Sequence, residues 1–210
     1  MKRRTLLAGL ALPLFATRTA WAAAPALTAQ DRTDLTRIET YLDGLRSLKA
    51  RFLQVAPDGT VSEGTAWLSR PGRMRFEYDK PAPYLLVAGF GSAVFYDSQL
   101  NQTTYVPLAT TPLGILLSDH VRLGGDVTVT GIERQPGLIQ VTTTRTSSPQ
   151  DGTLSLVFAD QPLALRQWAV VDQDKQETRV SLFGIELGGD FPASMFQFED
   201  PRLKNNNRSN

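Results

Sequence analysis

Between Thr28 and Leu48 the apolar residues Leu35, Ile38, Leu42, Leu45 and Leu48 recur at steps of three or four, with Asp34, Arg37, Glu39, Asp43 and Arg46 between them. Side chains at that spacing fall on one stripe of an α-helix, so the pattern predicts an amphipathic helix resting one face on an apolar surface. Thr28 and Asp31 form a capping pair at its start, each able to bond an amide of the first turn that has no partner inside the helix. After this segment the period falls to two. Arg73-Met74-Arg75-Phe76-Glu77-Tyr78 alternates strictly, and Leu154-Ser155-Leu156-Val157-Phe158 has the same strand character. Turn-forming clusters such as Pro57-Asp58-Gly59, Pro71-Gly72, Gly89-Phe90-Gly91, Gly124-Gly125, Pro136-Gly137 and Gly188-Gly189 divide the remainder into short segments, about eleven of which read as strands. The gaps leave no room for crossover helices, so neighbouring strands must be antiparallel. So long a series curls into a barrel, a half-barrel or a sandwich. The expected class is mainly β with a few helices.

One segment breaks the rhythm. Thr110-Thr111-Pro112-Leu113-Gly114-Ile115-Leu116-Leu117 is apolar, holds Pro and Gly, and does not alternate. It reads equally well as a short helical cover over the sheet or as a plug that completes the core.

The ends of the chain differ in kind from its middle. Lys2-Arg3-Arg4, the apolar run Thr5 to Ala16 and then Ala20-Trp21-Ala22 give the three parts of a cleavable secretory signal in order. The apolar run is shorter than the roughly 20 residues needed to cross a bilayer. Residues 1–22 are therefore expected to be removed on export, through either the general or the twin-arginine route, since Arg3-Arg4 suits both. Residues 23–203 are expected to form a single domain, and residues 204–210, polar and aperiodic, a disordered tail.

Composition then removes function classes. The 210 residues carry 22 Lys plus Arg against 21 Asp plus Glu, but residues 1–30 hold four basic residues and no acid. Without them 18 basic and 21 acidic residues remain, a net charge of −3, which does not suit a nucleic-acid binder. The absence of Cys excludes disulfides, thiol nucleophiles and thiolate metal sites. A single His120 leaves no basis for a histidine metal site or a Ser-His-Asp triad. No Gly cluster precedes a helical pattern as a phosphate loop would. The paired carboxylates Asp31/Asp34 and Asp172/Asp174 fall at a helix start and in a turn, and Asp97 also starts a turn, all ordinary places for acids. Neither a catalytic group, a metal nor a cofactor is expected, and the chain is read as a non-enzyme. What remains is apolar surface, and a cover that sits loosely over a curled sheet would enclose an apolar ligand cavity.

Against that background residues 48–117 become specific. Leu48 to Gln54 (LKARFLQ), Glu63-Gly64-Thr65-Ala66-Trp67-Leu68, Arg70-Pro71-Gly72 running into Tyr78, Pro81, Leu86-Val87, Val94-Phe95-Tyr96-Asp97, Gln102 and Thr111 to Leu117 together resemble the LolA family of periplasmic outer-membrane lipoprotein carriers. The resemblance implies an unclosed antiparallel barrel of about eleven strands with a helical lid over an apolar cavity. It also implies a monomeric periplasmic carrier that takes acylated lipoproteins from an inner-membrane lipoprotein-releasing ABC transporter. The carrier would shield their acyl chains and pass them to an outer-membrane acceptor lipoprotein of the same fold, from which the lack of an acylated Cys separates this chain.

The same resemblance implies that Arg70 is the latch that bonds the lid and holds the empty cavity shut. Ala66, Leu68 and Arg70 share one strand face, and a buried guanidinium there would need carbonyl partners such as those at a helix end. The other reading ends the strand at Ser69 and leaves Arg70 in solvent before Pro71. Phe52, Leu68, Phe76, Leu86 and Phe95, with Leu113, Ile115, Leu116 and Leu117 of the lid, are implied to form the acyl-chain cavity and its cover. Met74 stands where many members carry a Phe that touches the transporter, a departure that a flexible apolar side chain can partly make good. Three chains of roughly 15 methylenes at ~0.8 kcal/mol each would give about 36 kcal/mol if wholly buried. That exceeds the practical limit of about 18 to 21 kcal/mol for noncovalent binding, so burial must be partial, or lid opening must cost free energy. Two other classes remain: a non-transport envelope lipid-binding or stress-sensing protein of the same fold, and an envelope hydrolase, for which nothing in the sequence brings Glu77, Asp79 and Asp97 together.

Overall fold

The computed structural model describes residues 27–200. The expected signal segment and the tail from residue 204 lie outside the described residues. Helix α1 (Ala29–Gly44) leads into strands β1 (Ser47–Val55), β2 (Val61–Ser69), β3 (Arg73–Tyr78), β4 (Tyr84–Gly89), β5 (Ser92–Asp97) and β6 (Gln102–Pro107). A 3-10 turn at Leu108–Thr110 and the one-turn helix α2 (Leu113–Leu116) follow. The chain then continues through β7 (Val127–Gln135), β8 (Leu138–Arg145), β9 (Thr153–Asp160), β10 (Leu163–Val171) and β11 (Glu177–Leu187). All eleven described strands form one antiparallel sheet in the order β6-β5-β4-β3-β2-β1-β11-β10-β9-β8-β7.

This order explains why the barrel is unclosed. Two meanders, β1 to β6 and β7 to β11, are joined by the pairing of β1 with β11, which puts Phe52 opposite Leu182. The two remaining edges, β6 and β7, are joined not by hydrogen bonds but by the chain from Leu108 to Asp126, which contains α2. A meander needs only short turns, so the turn clusters of the sequence settle most of the sheet. The β1–β11 closure is non-local.

The helix forms where its pattern predicts but stops sooner. Thr28 and Asp31 make a full capping box. The termination is at Gly44, with the Leu45 amide turned back to the carbonyls of Tyr41 and Leu42. Leu48, read above as the last member of the helical stripe, belongs instead to β1, where Leu48, Ala50 and Phe52 alternate inward and are almost wholly buried. The step of three from Leu45 to Leu48 continues the helical spacing by coincidence across a helix-strand junction.

The stripe Leu35, Ile38 and Leu42 of α1 enters the concave face of the sheet, and Ile38 and Leu42 have no exposed surface. Each such side chain contributes about 1.5–3 kcal/mol when buried. The Tyr41 ring meets Phe158 edge-on at 5.8 Å, and its hydroxyl accepts a bond from the Leu165 amide at 3.0 Å. Polar groups fix the helix at both ends. At its start Asp34, only 3% exposed, accepts from Nε and Nη2 of Arg134 on β7 at 2.9 and 2.7 Å. Near its end Glu39 and Asp43 accept from the amides of Leu123 and Val121 at 2.6 and 3.1 Å.

Candidate functional site

An aromatic row crosses the concave face from β1 toward β5. The Phe52 and Phe76 rings lie 4.5 Å apart, Phe52 and Tyr78 5.1 Å, Tyr78 and Tyr84 5.7 Å, and Tyr84 and Phe95 5.3 Å. Strand pairing produces this row, because alternate residues of adjacent antiparallel strands share a face. Gly64, opposite Phe52 in the register, leaves space for the first ring: a Cβ there would lie 2.6 Å from Phe52 Cε1 and 2.1 Å from the Glu77 carbonyl oxygen.

Beyond the row lies a cavity of about 250 Å³. Its walls are Met74, Phe76 and Tyr78 of β3, Leu86 of β4, Ala93 and Phe95 of β5, Val106 of β6, Trp168 and Val170 of β10, and Thr178 and Val180 of β11, with Gln54 of β1 and with Thr111 and Leu113 from the lid. None of these residues carries a charge at neutral pH. The Tyr78 hydroxyl donates to Gln54 Oε1 at 2.9 Å, and burial pushes its pKa up to about 12, so the phenol stays neutral. The site can hold apolar matter, and the polar groups in its lining, those of Gln54, Tyr78, Thr111 and Thr178, are uncharged.

Of the residues implied by the resemblance, Phe76, Leu86, Phe95 and Leu113 line this cavity. Phe52, Leu68, Ile115, Leu116 and Leu117 are each 3% exposed or less and belong to the packed core beside it. Met74 is 2% exposed and lines the cavity, so its side chain lies inside this closed form. The segment from Leu108 to Leu117 is thus both cover and plug: Leu113 faces the cavity while Ile115, Leu116 and Leu117 pack into the core.

Both ends of the lid are held by arginines. Strand β2 does end at Ser69, yet Arg70 is 5% exposed. Its Nε donates to the Leu45 carbonyl at 2.8 Å, and its Nη1 to the Ser118 carbonyl at 3.2 Å. It therefore joins the end of α1 to the end of the lid. The neighbouring Gly72 amide donates to the Leu117 carbonyl at 2.8 Å. Nη2 of Arg70 is buried with no partner, and burial, with repulsion from Arg46, pushes the guanidinium below its ordinary pKa. At the other end Arg145 Nη2 donates to the Thr111 carbonyl at 3.4 Å.

Asp31 and Asp34 share Arg134 Nη2, at 2.7 Å each, and Glu77, Asp79, Asp97 and Asp172 have partners of their own. Glu77 bonds Arg75, Asp79 bonds Arg51, and Asp97 and Asp172 accept amides of their own turns. His120 is exposed. No cluster of three potential metal ligands occurs among the described residues.

A family model described as outer membrane lipoprotein carrier protein LolA matches residues 43–199. The chain belongs to the LolA family. It is 32% identical to an outer-membrane lipoprotein carrier protein of Chromohalobacter salexigens, with 83% of this chain and 87% of that relative covered. A protein of the same name from Methylococcus capsulatus is 28% identical, with 81% and 86% covered. A solved structure of a LolA superfamily protein from Nitrosomonas europaea aligns over 78% of this chain and 97% of its own at a TM-score of 0.43 and 10% identity. The stretch matched by the LolA model takes in every strand, the lid and both arginines.

Four features of this LolA-family cavity and its lid are absent from the sequence reading: the cavity walls from β10 and β11, the Gln54–Tyr78 pair, Val106, and the bond from Arg145 to the lid. For Trp168 the obstacle is a register shift in β10 between Leu165 and Gln167. The shift turns Leu165 and Trp168, three residues apart, toward the same interior. For Arg145 a signal was present, since Ile139, Val141, Thr143 and Arg145 alternate as Ala66, Leu68 and Arg70 do.

Proposed function

We propose that this protein is the periplasmic carrier of acylated lipoproteins, receiving them at the inner membrane and releasing them at the outer membrane. The uncharged, aromatic-walled cavity under a displaceable lid carries the reading, together with family membership. Acyl chains need water-free apolar surface and no directional partners, and the walls supply that. The cavity of about 250 Å³ is smaller than the roughly 300–1,000 Å³ of sites for drug-sized ligands. Three acyl chains therefore enter only when the lid withdraws, and its return drives them out. This answers the energetic problem of a grip too strong to release: part of the burial free energy is spent displacing Leu113 and its neighbours.

In this reading the donor is a lipoprotein-releasing ABC transporter and the recipient an acceptor lipoprotein. The carrier works as an exported monomer after loss of residues 1–22, binds no nucleic acid and performs no chemistry on its cargo. Arg70 is the latch that stabilises the empty state, and Met74 meets the transporter only once the lid has moved. No described helix is long and apolar enough to cross a membrane, in keeping with a protein that travels between two.

Competition tests the reading. A fluorescent apolar probe is expected to bind the purified protein, and a triacylated lipoprotein is expected to displace it, whereas the same lipoprotein without its acyl groups is not. A probe that fails to bind, or equal displacement by the unacylated protein, overturns it.

A further inference from the structure

The lid is held unequally at its two ends. The C-terminal side is fixed by several short bonds. Gly72 holds the Leu117 carbonyl and Arg70 that of Ser118. Asp43 and Glu39 of α1 hold the amides of Val121 and Leu123, and Arg46 pairs with Asp119 at 2.8 Å. Val121 is also wholly buried.

At the N-terminal side the Leu108 amide donates to the Gly91 carbonyl of the β4–β5 turn at 2.8 Å, and beyond that anchor the bond reaching in from the sheet is the one from Arg145 to the Thr111 carbonyl, 3.4 Å long. Arg145 closes an inward row, Ile139, Val141 and Thr143, whose members are at most 3% exposed. This repeats, in the opposite half of the sheet, the row that ends in Arg70. The lid makes room for the guanidinium: a Cβ on Gly114 would lie 2.6 Å from Arg145 Nη2. Yet Arg145 Nε is buried without a partner. A half-buried cation with one long bond and one buried donor lacking a partner stabilises the closed state weakly, because opening lets water reach both groups.

We propose that Arg145 is a second latch, weaker than Arg70, and that the lid opens from its Thr111 end while pivoting on the segment from Leu117 to Leu123. Thr111 and Leu113 are the lid residues that face the cavity, so release at this end unroofs the apolar walls directly. The arrangement also sets an order. The Arg145 contact yields first, and the Arg70 contacts yield as the lid swings further to admit a ligand. The importance of this order for lipoprotein loading rests on the carrier reading, but the latch itself is measured with no cargo present.

The test is residue-resolved amide hydrogen exchange on the full-length exported protein. In the unmutated protein the Thr111, Gly114 and Ile115 amides, which bond within the N-terminal part of the lid, are expected to exchange faster than those of Gly72, Val121 and Leu123. In Arg145→Leu the first group is expected to quicken about tenfold and the second to stay unchanged, while Arg145→Lys keeps most of the original protection. Equal exchange at the two ends of the unmutated protein would overturn the proposal without any variant. So would acceleration spread through the whole lid and sheet, no acceleration at all, or a lysine variant that behaves like the leucine one.

Discussion

Arg70→Leu removes the group that joins α1, β2 and the lid. In the closed form the substitution leaves the buried carbonyl of Leu45 and the partly buried carbonyl of Ser118 without their donors. Each unsatisfied acceptor costs about 1–3 kcal/mol, so the closed state loses about 2–6 kcal/mol. Part of this returns, because the partnerless Nη2 disappears with the side chain, and an orphan donor carries a similar cost of about 1–3 kcal/mol. The net loss is about 1–3 kcal/mol, which corresponds to roughly a 5- to 150-fold shift toward the open lid. Because the bond from Gly72 to the Leu117 carbonyl does not involve the side chain, the lid is loosened and not lost. Titration with a fluorescent apolar probe is expected to show tighter binding by that same factor. Handover of a loaded lipoprotein to its acceptor is expected to stall, since lid closure no longer expels the chains. Unchanged or weaker probe affinity, with normal handover, would refute the claim that these contacts oppose opening.

Other consequences follow from the same contacts. Asp34→Ala leaves the Arg134 guanidinium facing a buried site, and because Arg134 is itself 39% exposed and can rehydrate, the expected loss is about 1–3 kcal/mol, seen as a fall in the thermal midpoint of roughly 2–4 °C per kcal/mol. Acid titration reads the same network: the hydrogen bond from Thr28, then that from Arg134, holds Asp31 at about 2. Burial pushes the Asp34 carboxyl up, but bonds from Gln30 and Arg134 outweigh it and leave it below the ordinary value. Both folded-state pKa values lie below the unfolded value of about 3.9, so the network's contribution is complete above about pH 4 and is lost as the pH falls toward 2; a midpoint that stays constant from pH 5 to pH 2 would contradict it. Leu113→Glu would place a carboxylate against uncharged walls, and the lid is expected to open because a buried unpaired charge is costlier than an exposed one, giving faster amide exchange at Gly114 and Ile115. Trp168 lines the cavity with its ring 6.0 Å from Phe76, so its fluorescence is expected to change when an apolar ligand enters and the change to vanish in Trp168→Phe.

Much of the architecture was legible locally. The helical stripe and its capping pair, the strand alternation and the turn clusters each depend on neighbours in the chain, and together they led to eleven strands and one leading helix. The break in alternation at Thr110 to Leu117 marked the lid for the same reason. Legibility failed where the decisive contact is distant. The cavity is closed by β10 and β11 because β11 pairs with β1 across the length of the chain, and no local period reports that. A register shift hid Trp168, and the match in spacing at the helix-strand junction carried the helix too far, to Leu48. The split among Phe52, Leu68, Phe76 and Phe95 is instructive too: all four face inward, but Phe52 and Leu68 are enclosed in the packed core while Phe76 and Phe95 line the cavity. Arg70 could be placed on an apolar face from sequence, whereas its carbonyl partners come from α1 and from a lid 48 residues away.

The central claim is that the lidded cavity carries acyl chains attached to protein. The most direct test is to isolate the native protein from the periplasm of its own cells under detergent-free conditions and identify by mass spectrometry what accompanies it. The account predicts lipoproteins with acylated N-terminal cysteines, in amounts that rise in Arg70→Leu. Recovery of free lipid alone, or of proteins without acyl groups, would contradict it.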